Sequence, residues 1–266
     1  MAILAFFFVH WQLSVLFQSF FQHRYVAHRQ FTMSRRWERF FHICTYVTQG
    51  ASYLQPAAYA VMHRMHHAYS DSAQDPHSPH FYPHAGSMMW TTKDRYLDLV
   101  AGREQPEARF AGGAPDWLSL EWFANTWFSR LAWVAVYVAI YVQFATSPWL
   151  FALLPFHFVM GPVHGAIVNW CGHKYGYRNF DSADKSTNAL VFDFLTAGEL
   201  FQNNHHAFAM SPNFGVKWYE IDPTYWFMRA LRAVGIITFK ASPAMRVTPL
   251  AAPAEVAPAP VEATLV

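Results

Sequence analysis

Histidine recurs in this chain at spacings that could do chemistry. HRYVAH sets His23 and His28 five apart, HRMHH sets His63, His66 and His67 at i, i+3 and i+4, and QNNHH ends in His205 and His206. With His173, eight of the 15 histidines lie at or just beyond the ends of apolar segments. At about 100° per residue, i, i+3 and i+4 share one helical face, so the HRMHH imidazoles can converge on metal. His23 and His28 are about 140° apart on an ideal helix, which predicts that one lies past a helix end or on a bend. Imidazole suits iron, zinc, copper and nickel, and so many neutral nitrogens without cysteine favour iron or zinc over calcium or magnesium. Eight are too many for one ion, so two metals sharing them is the natural count, with positions open to oxygen or water. Cys44 and Cys171 lack CxxC spacing and suggest neither a disulfide framework nor a thiolate site. His10, His157 and His164 read as packing residues, and His77, His80 and His84 as loop residues.

The elements that must position these histidines are apolar. Only 14% of the 266 residues are charged, against roughly 25% in an ordinary soluble domain. No Asp, Glu, Lys or Arg interrupts the 43 residues between Arg130 and Lys174, which Ser147 and Pro148 divide. About 20 apolar residues cross a bilayer, so this run predicts two spans joined by a tight turn. The first 23 residues are also uncharged and reach roughly 34 Å as helix. They lack the basic start and small-residue cleavage site of a secretory signal, which makes them a retained span. Arg24, Arg29, Arg35, Arg36, Arg39 and Arg64 follow this run, and Lys174, Arg178 and Lys185 follow the later one. The positive-inside rule puts both segments in the cytoplasm, with the N-terminus and the turn at 146–148 outside. No basic stripe suited to nucleic acid is present; the arginines fit topology and membrane lipid.

Parity constrains the stretch from 40 to 62, which carries Gly50 and Pro56 at its middle. If it crossed the membrane, His23 and His63 would lie on opposite sides. A shared site therefore requires a re-entrant or interfacial segment. The expected fold is all-α: an integral membrane helical domain of about three spans plus that segment, capped by a cytoplasmic helical part bearing two metals. Surface helices are expected at 116–128, 187–200 and 224–239. The domain covers 1–240, and the Ala/Pro-rich residues 241–266 read as a disordered tail.

With HRYVAH, HRMHH and QNNHH together, the sequence resembles the membrane fatty acyl desaturases, whose histidine boxes read HxxxxH, HxxHH and H/QxxHH. HHAYSDSAQDPHSP at 66–79 is similar to the segment after the second box in acyl-CoA desaturases. NWCGHKYGYRNFD at 169–181 resembles their NxxxH and GYR motif, and GE at 198–199 and HHAF at 205–208 also match. The resemblance implies a di-iron site held by His23, His28, His63, His66, His67, His173, His205 and His206, with Asn169 reaching it through water. It implies a delta-9-like desaturation that uses O2 and two external electrons on an acyl chain linked to CoA, carrier protein or lipid. An unactivated methylene has no acidic proton, so an acid/base pair could not remove its hydrogens, whereas an oxidant activated at iron could.

Only one span fits before the first box, where many relatives have two, so three spans and an outward N-terminus are expected. No cytochrome-like or ferredoxin-like domain is present, so electrons are expected from a separate ferredoxin, rubredoxin or cytochrome b5 type protein and its reductase. Related di-iron hydroxylases and ketolases carry similar boxes, but the NxxxH/GYR and DPH segments favour desaturation. A haem-bearing membrane electron-transfer protein, with His10 and His157 as axial ligands, leaves the grouped eight unexplained. Gln202 stands where His63 stands in HRMHH; it offers a carbonyl oxygen or a hydrogen bond but no imidazole nitrogen. It is expected to bind metal weakly or through water.

Overall fold

The uncharged N-terminal run contains no proline, and it winds without interruption from Ala2 to Ala27. Helix α1 (Ala2–Phe17) is regular, and Gln18–Ala27 continues it as a π-helix. The computed structural model describes residues 1–246, so the tail expected to be disordered lies, from 247 onward, outside the described residues.

Beyond a short strand β1 (Phe31–Met33), α2 (Arg35–Gln49) runs to Gly50, the chain turns through Gly50–Ser52, and α3 (Pro56–Tyr69) returns. Pro56 takes the first turn of α3, where its missing N–H breaks no bond. The turn meets α1 at His10, whose Nε2 lies 2.9 Å from the Thr48 carbonyl. Arg130 closes it by donating to the carbonyls of Ala51 (2.7 Å) and Tyr53 (3.0 Å). This hairpin brings His63 back beside His23, their ring centroids 4.2 Å apart. Gly50 holds φ at +52°, and a Cβ there would sit 1.8 Å from the Tyr137 hydroxyl. Gly50→Ala is therefore expected to cost at least about 1–3 kcal/mol. Thermal unfolding in detergent would show it as a lowered midpoint.

Helices α4 (Ala85–Val100), α5 (Leu118–Ala124) and α6 (Trp127–Phe144) follow. A 3-10 turn (Pro148–Leu153) and α7 (Leu154–His157) lead into α8 (Met160–Cys171), then come α9 (Gln202–Ala207), α10 (Pro223–Ala233) and β2 (Ile237–Phe239). Strand β2 pairs antiparallel with β1 in the register Phe31↔Phe239, tying the end of the domain to the first histidine segment. The main core lies where the π-helix, α2, α3, α10 and this ribbon meet, around Phe20, Phe21, Phe41 and Met228. Phe20 stacks on Phe31 at 5.0 Å and meets Phe41 edge-on at 4.8 Å.

The second half of the long apolar run is bent: Pro148–His157 and Met160–Cys171 meet at 73°. Pro148 and Pro155 supply no N–H, and His157 is anchored beside the bend by His10 and Tyr141. Among the described residues two helices are long and apolar enough to cross a membrane, or three with the bent pair counted as one. Two surface-helix expectations are corrected. Residues 187–200 are not helical, because the Asp193 carboxylate gathers the backbone N–H groups of Thr196, Gly198 and Leu200 at 2.8–3.1 Å. A side chain that bonds its own backbone competes with helix. The segment 224–239 is helical only to Ala233, after which Gly235 at φ +75° turns it into β2. Residues 116–128 divide between α5 and the start of α6, which Thr126 caps through the Ser129 N–H.

Candidate dinuclear metal centre

The π-helix reconciles His23 with His28. Its i→i+5 closure carries the His28 N–H to the His23 carbonyl (3.0 Å) and stacks residues five apart on one face. The π-winding up to Ala27, with His28 one residue past the helix end as the spacing predicts, brings their Nε2 atoms within 3.1 Å. On α3, His63 and His67 face this pair, while His66 turns to another group. On α9 the neighbours His205 and His206 divide in the same way.

Two clusters result. His23, His28, His63, His67 and His205 bring five nitrogens within 4.8 Å of one another, with Nε2 contacts of 2.6 Å (His28 to His63), 2.9 Å (His67 to His205) and 3.0 Å (His23 to His205). His66, His173 and His206 form the second, their ring centroids 4.8–4.9 Å apart. The HRMHH imidazoles therefore share a helical region but not one cluster.

Carboxylates explain how the rings are aimed. The Nδ1 of His66 meets Asp75 at 2.9 Å, that of His173 meets Asp71 at 2.9 Å and that of His206 meets Asp184 at 2.7 Å; Glu199 pairs with His23 Nδ1. Burial pushes the Asp71 carboxyl up, but hydrogen bonds from His173, the Lys185 N–H and Ser78 outweigh it and hold it down at about 2. Asp75 and Asp184 are likewise held far below the usual range despite burial, chiefly by His66 and His206. With the ring proton kept at Nδ1, each Nε2 is a lone pair pointing inward. Those of His66, His173 and His206 are buried and have no hydrogen-bond partner. Converging lone pairs repel unless a cation lies among them, so the residues fit two metal ions, and the donor set fits iron or zinc.

An apolar cavity of about 840 Å³ runs past the centre, with His23, His63, Asn169 and Gln202 in its wall. Neither Asn169 nor Gln202 joins a histidine cluster. Gln202 donates its amide to the Glu199 carbonyl at 2.6 Å, and Asn169 donates to Gly165 at 2.9 Å. Gln202 also lies over Gly172, where a Cβ would come within 2.5 Å of its Cγ.

The family model for fatty acid desaturases matches residues 1–239. The chain belongs to the fatty acid desaturase family. It is 30% identical over 81% of its length to the acyl-CoA 5-desaturase of Anemone leveillei, and spans 64% of that protein. It is 31% identical to the delta-9 desaturase-like 5 protein of Arabidopsis thaliana over 88% of its length and to the sn-1 stearoyl-lipid 9-desaturase of Anabaena variabilis over 81%, spanning 75% of each.

In this desaturase-family chain the grouping of all eight histidines was legible from spacing, whereas Asp71, Asp75, Asp184 and Glu199 were missed as their supports. A signal existed: imidazole ligands usually give their second nitrogen to a carboxylate, and acids flank the second box, the His173 motif and the third box in SDSAQD, NFDSAD and GE. Asp75→Asn is expected to lower metal affinity or activity by about 10–100-fold, read by metal titration alongside product formation. Of the loop histidines, His77 is buried with its ring 4.5 Å from that of His66, His80 Nε2 donates to the His173 backbone carbonyl at 2.9 Å, and His84 caps α4. His164 lies in the cavity wall. His10 and His157 stack at 4.9 Å with their Nδ1 atoms 2.6 Å apart, while their Nε2 atoms engage Thr48 and Tyr141. That arrangement does not offer two imidazoles to opposite faces of a haem.

Proposed function

We propose that this protein is an oxygen-dependent di-iron fatty acyl desaturase that introduces a double bond into an acyl chain. The observation that carries the reading is the juxtaposition of two buried imidazole clusters with an apolar cavity of chain-binding character. The relatives named for acyl-CoA and stearoyl-lipid desaturation support an acyl substrate. Two irons held by His23, His28, His63, His67 and His205 on one side and His66, His173 and His206 on the other would supply redox chemistry with O2 and two external electrons.

The chain's own residues do the rest. Met62, Met89, Leu97, Val134 and Val168 surround the acyl chain and exclude water. Asp71, Asp75, Asp184 and Glu199 keep protons at Nδ1, so that the inward nitrogens stay free for metal. Gln202 and Asn169, facing the cavity, each spend an amide N–H on a backbone carbonyl, which leaves the side-chain oxygen to meet water or metal. The second cluster has three imidazoles. The excess of basic residues around the centre supports a cytoplasmic site by the positive-inside rule, within reach of a separate ferredoxin, rubredoxin or cytochrome b5 type donor.

Expression with a reductase system, followed by lipid profiling, tests the reading. New monounsaturated chains are expected. A hydroxylated or ketolated product with no new double bond overturns the reaction assignment.

A further inference from the structure

The loop from Arg178 to Ser186 reaches two of the three carboxylates that support the second cluster from the protein surface. Its Asp184 carboxylate bonds His206 Nδ1 at 2.7 Å. The Lys185 backbone N–H donates at 2.8 Å to Asp71, which bonds His173 Nδ1 at 2.9 Å. Two of the three imidazoles of that cluster are therefore each joined to one exposed loop through a single carboxylate.

The same surface is cationic. Lys185 and Arg178 are exposed, with the Arg178 guanidinium donating to the carbonyls of Ser182 (2.7 Å) and Asp184 (2.8 Å) rather than to a carboxylate. Lys174 lies 3.8 Å from the Trp170 ring and Lys217 5.0 Å from the Tyr177 ring. The carboxylates that could neutralise them are turned inward: Asp184 to His206, and Glu220 to Tyr177, Asn179 and Asn204. Only Asp181 stands exposed in the loop. On α4 and the loop after it the opposite holds, since Lys93 pairs with Asp94, Arg95 with Glu104 and Arg103 with Asp98. Beside the unpaired cations project Tyr175 (57% exposed) and Trp218 (91% exposed). Aromatic anchors within a rim of uncompensated charge are the make-up of a protein-binding surface.

We infer that this face, built from Lys174, Arg178, Lys185, Lys217, Tyr175 and Trp218, docks an acidic one-electron carrier protein and passes its electrons to the second cluster. The inference rests on the desaturase reading, which requires an external donor. Each encounter oxidises the carrier by one electron and reduces the centre by one; two encounters supply one turnover, and the loop's protons stay where they are. Electron transfer falls steeply with distance, and this loop is joined to two of the imidazoles through one carboxylate each. Opposite charge across the encounter raises the association rate and makes it sensitive to salt.

The test uses the full-length protein in nanodiscs of zwitterionic phosphatidylcholine, metal-free and iron-loaded, against three carriers: an acidic ferredoxin, a rubredoxin and a soluble cytochrome b5 domain. At least one carrier should bind both forms, with affinity falling as salt rises. The Lys217→Glu/Trp218→Ala variant should weaken that binding by about tenfold and raise the KM for the carrier equally. Single turnover driven by dithionite, a small reductant that needs no docking, should be unchanged. Unaltered carrier binding in the variant, or binding of no carrier to the wild type, overturns the inference. So does equal loss of dithionite-driven turnover with carrier binding intact, since the two residues would then serve the centre's structure. The desaturase reading falls separately, if no reductant, dithionite included, yields an unsaturated product.

Discussion

Replacing His205 or His66 by alanine is expected to abolish desaturation in both cases while leaving different amounts of iron. His205 belongs to the cluster of five, so four inward nitrogens remain when it is removed. His66 belongs to the cluster of three, and its loss leaves only His173 and His206. Two imidazoles hold iron poorly, while four still form a usable set. The His205→Ala protein should therefore retain about two irons per chain and the His66→Ala protein about one, both with activity lowered by at least about 100-fold. Alanine is compatible with helix at either position, and neither residue lies in a span, so membrane insertion should be unchanged. Metal analysis per mole of protein, with product assay, decides the point. Equal iron loss in the two variants would mean that the clusters do not act as separate sites.

The second large effect is on stability. Arg24 is fully buried one residue beyond His23, and its Nη2 lies 3.0 and 3.1 Å from the two oxygens of Asp222, itself buried. Its guanidinium also lies 3.9 Å from the Phe214 ring centroid and donates to the Pro212 carbonyl at 2.9 Å. Asp222 in turn accepts from the backbone N–H of Phe214 and of Tyr225, the latter capping α10. Asp222→Ala removes a cap worth about 1 kcal/mol and leaves a buried cation with Glu199 at 3.5 Å as its nearest carboxylate. Breaking a buried pair from one side costs about 3–5 kcal/mol. Chemical denaturation in detergent should show a loss of that size, with iron released early because Glu199 also supports His23. Replacing both partners with apolar residues is often near neutral, so Arg24→Met combined with Asp222→Ala should recover much of the stability. A double variant no better than the single would assign the loss to the cap and backbone bonds instead.

Much of the site was legible because it rests on local periodicity. HRMHH announces a helix face at any burial, and the lack of charge between Arg130 and Lys174 announces an apolar environment whatever its path. The return of the chain at Gly50 followed from parity, since no fully crossing segment could join His23 to His63. Expectations failed where a single residue overrode the local pattern. Asp193 bonded its own neighbours and removed a helix from 187–200, and Gly235 cut short the helix expected over 224–239.

By itself, then, the amino-acid order determined which residues could hold metal, that their carriers are apolar helices, and that the second segment must turn back. Only the tertiary structure decided how the eight imidazoles divide into five and three. That division depends on π-winding before His28, on the crossing of α3 with the first helix and on the carboxylates that fix each ring. It also showed what Gln202 touches: its amide N–H donates to the Glu199 carbonyl, in the wall of the cavity. Sequence spacing specifies the face on which a side chain emerges; the direction of its last bond is set by whatever packs and hydrogen-bonds around it.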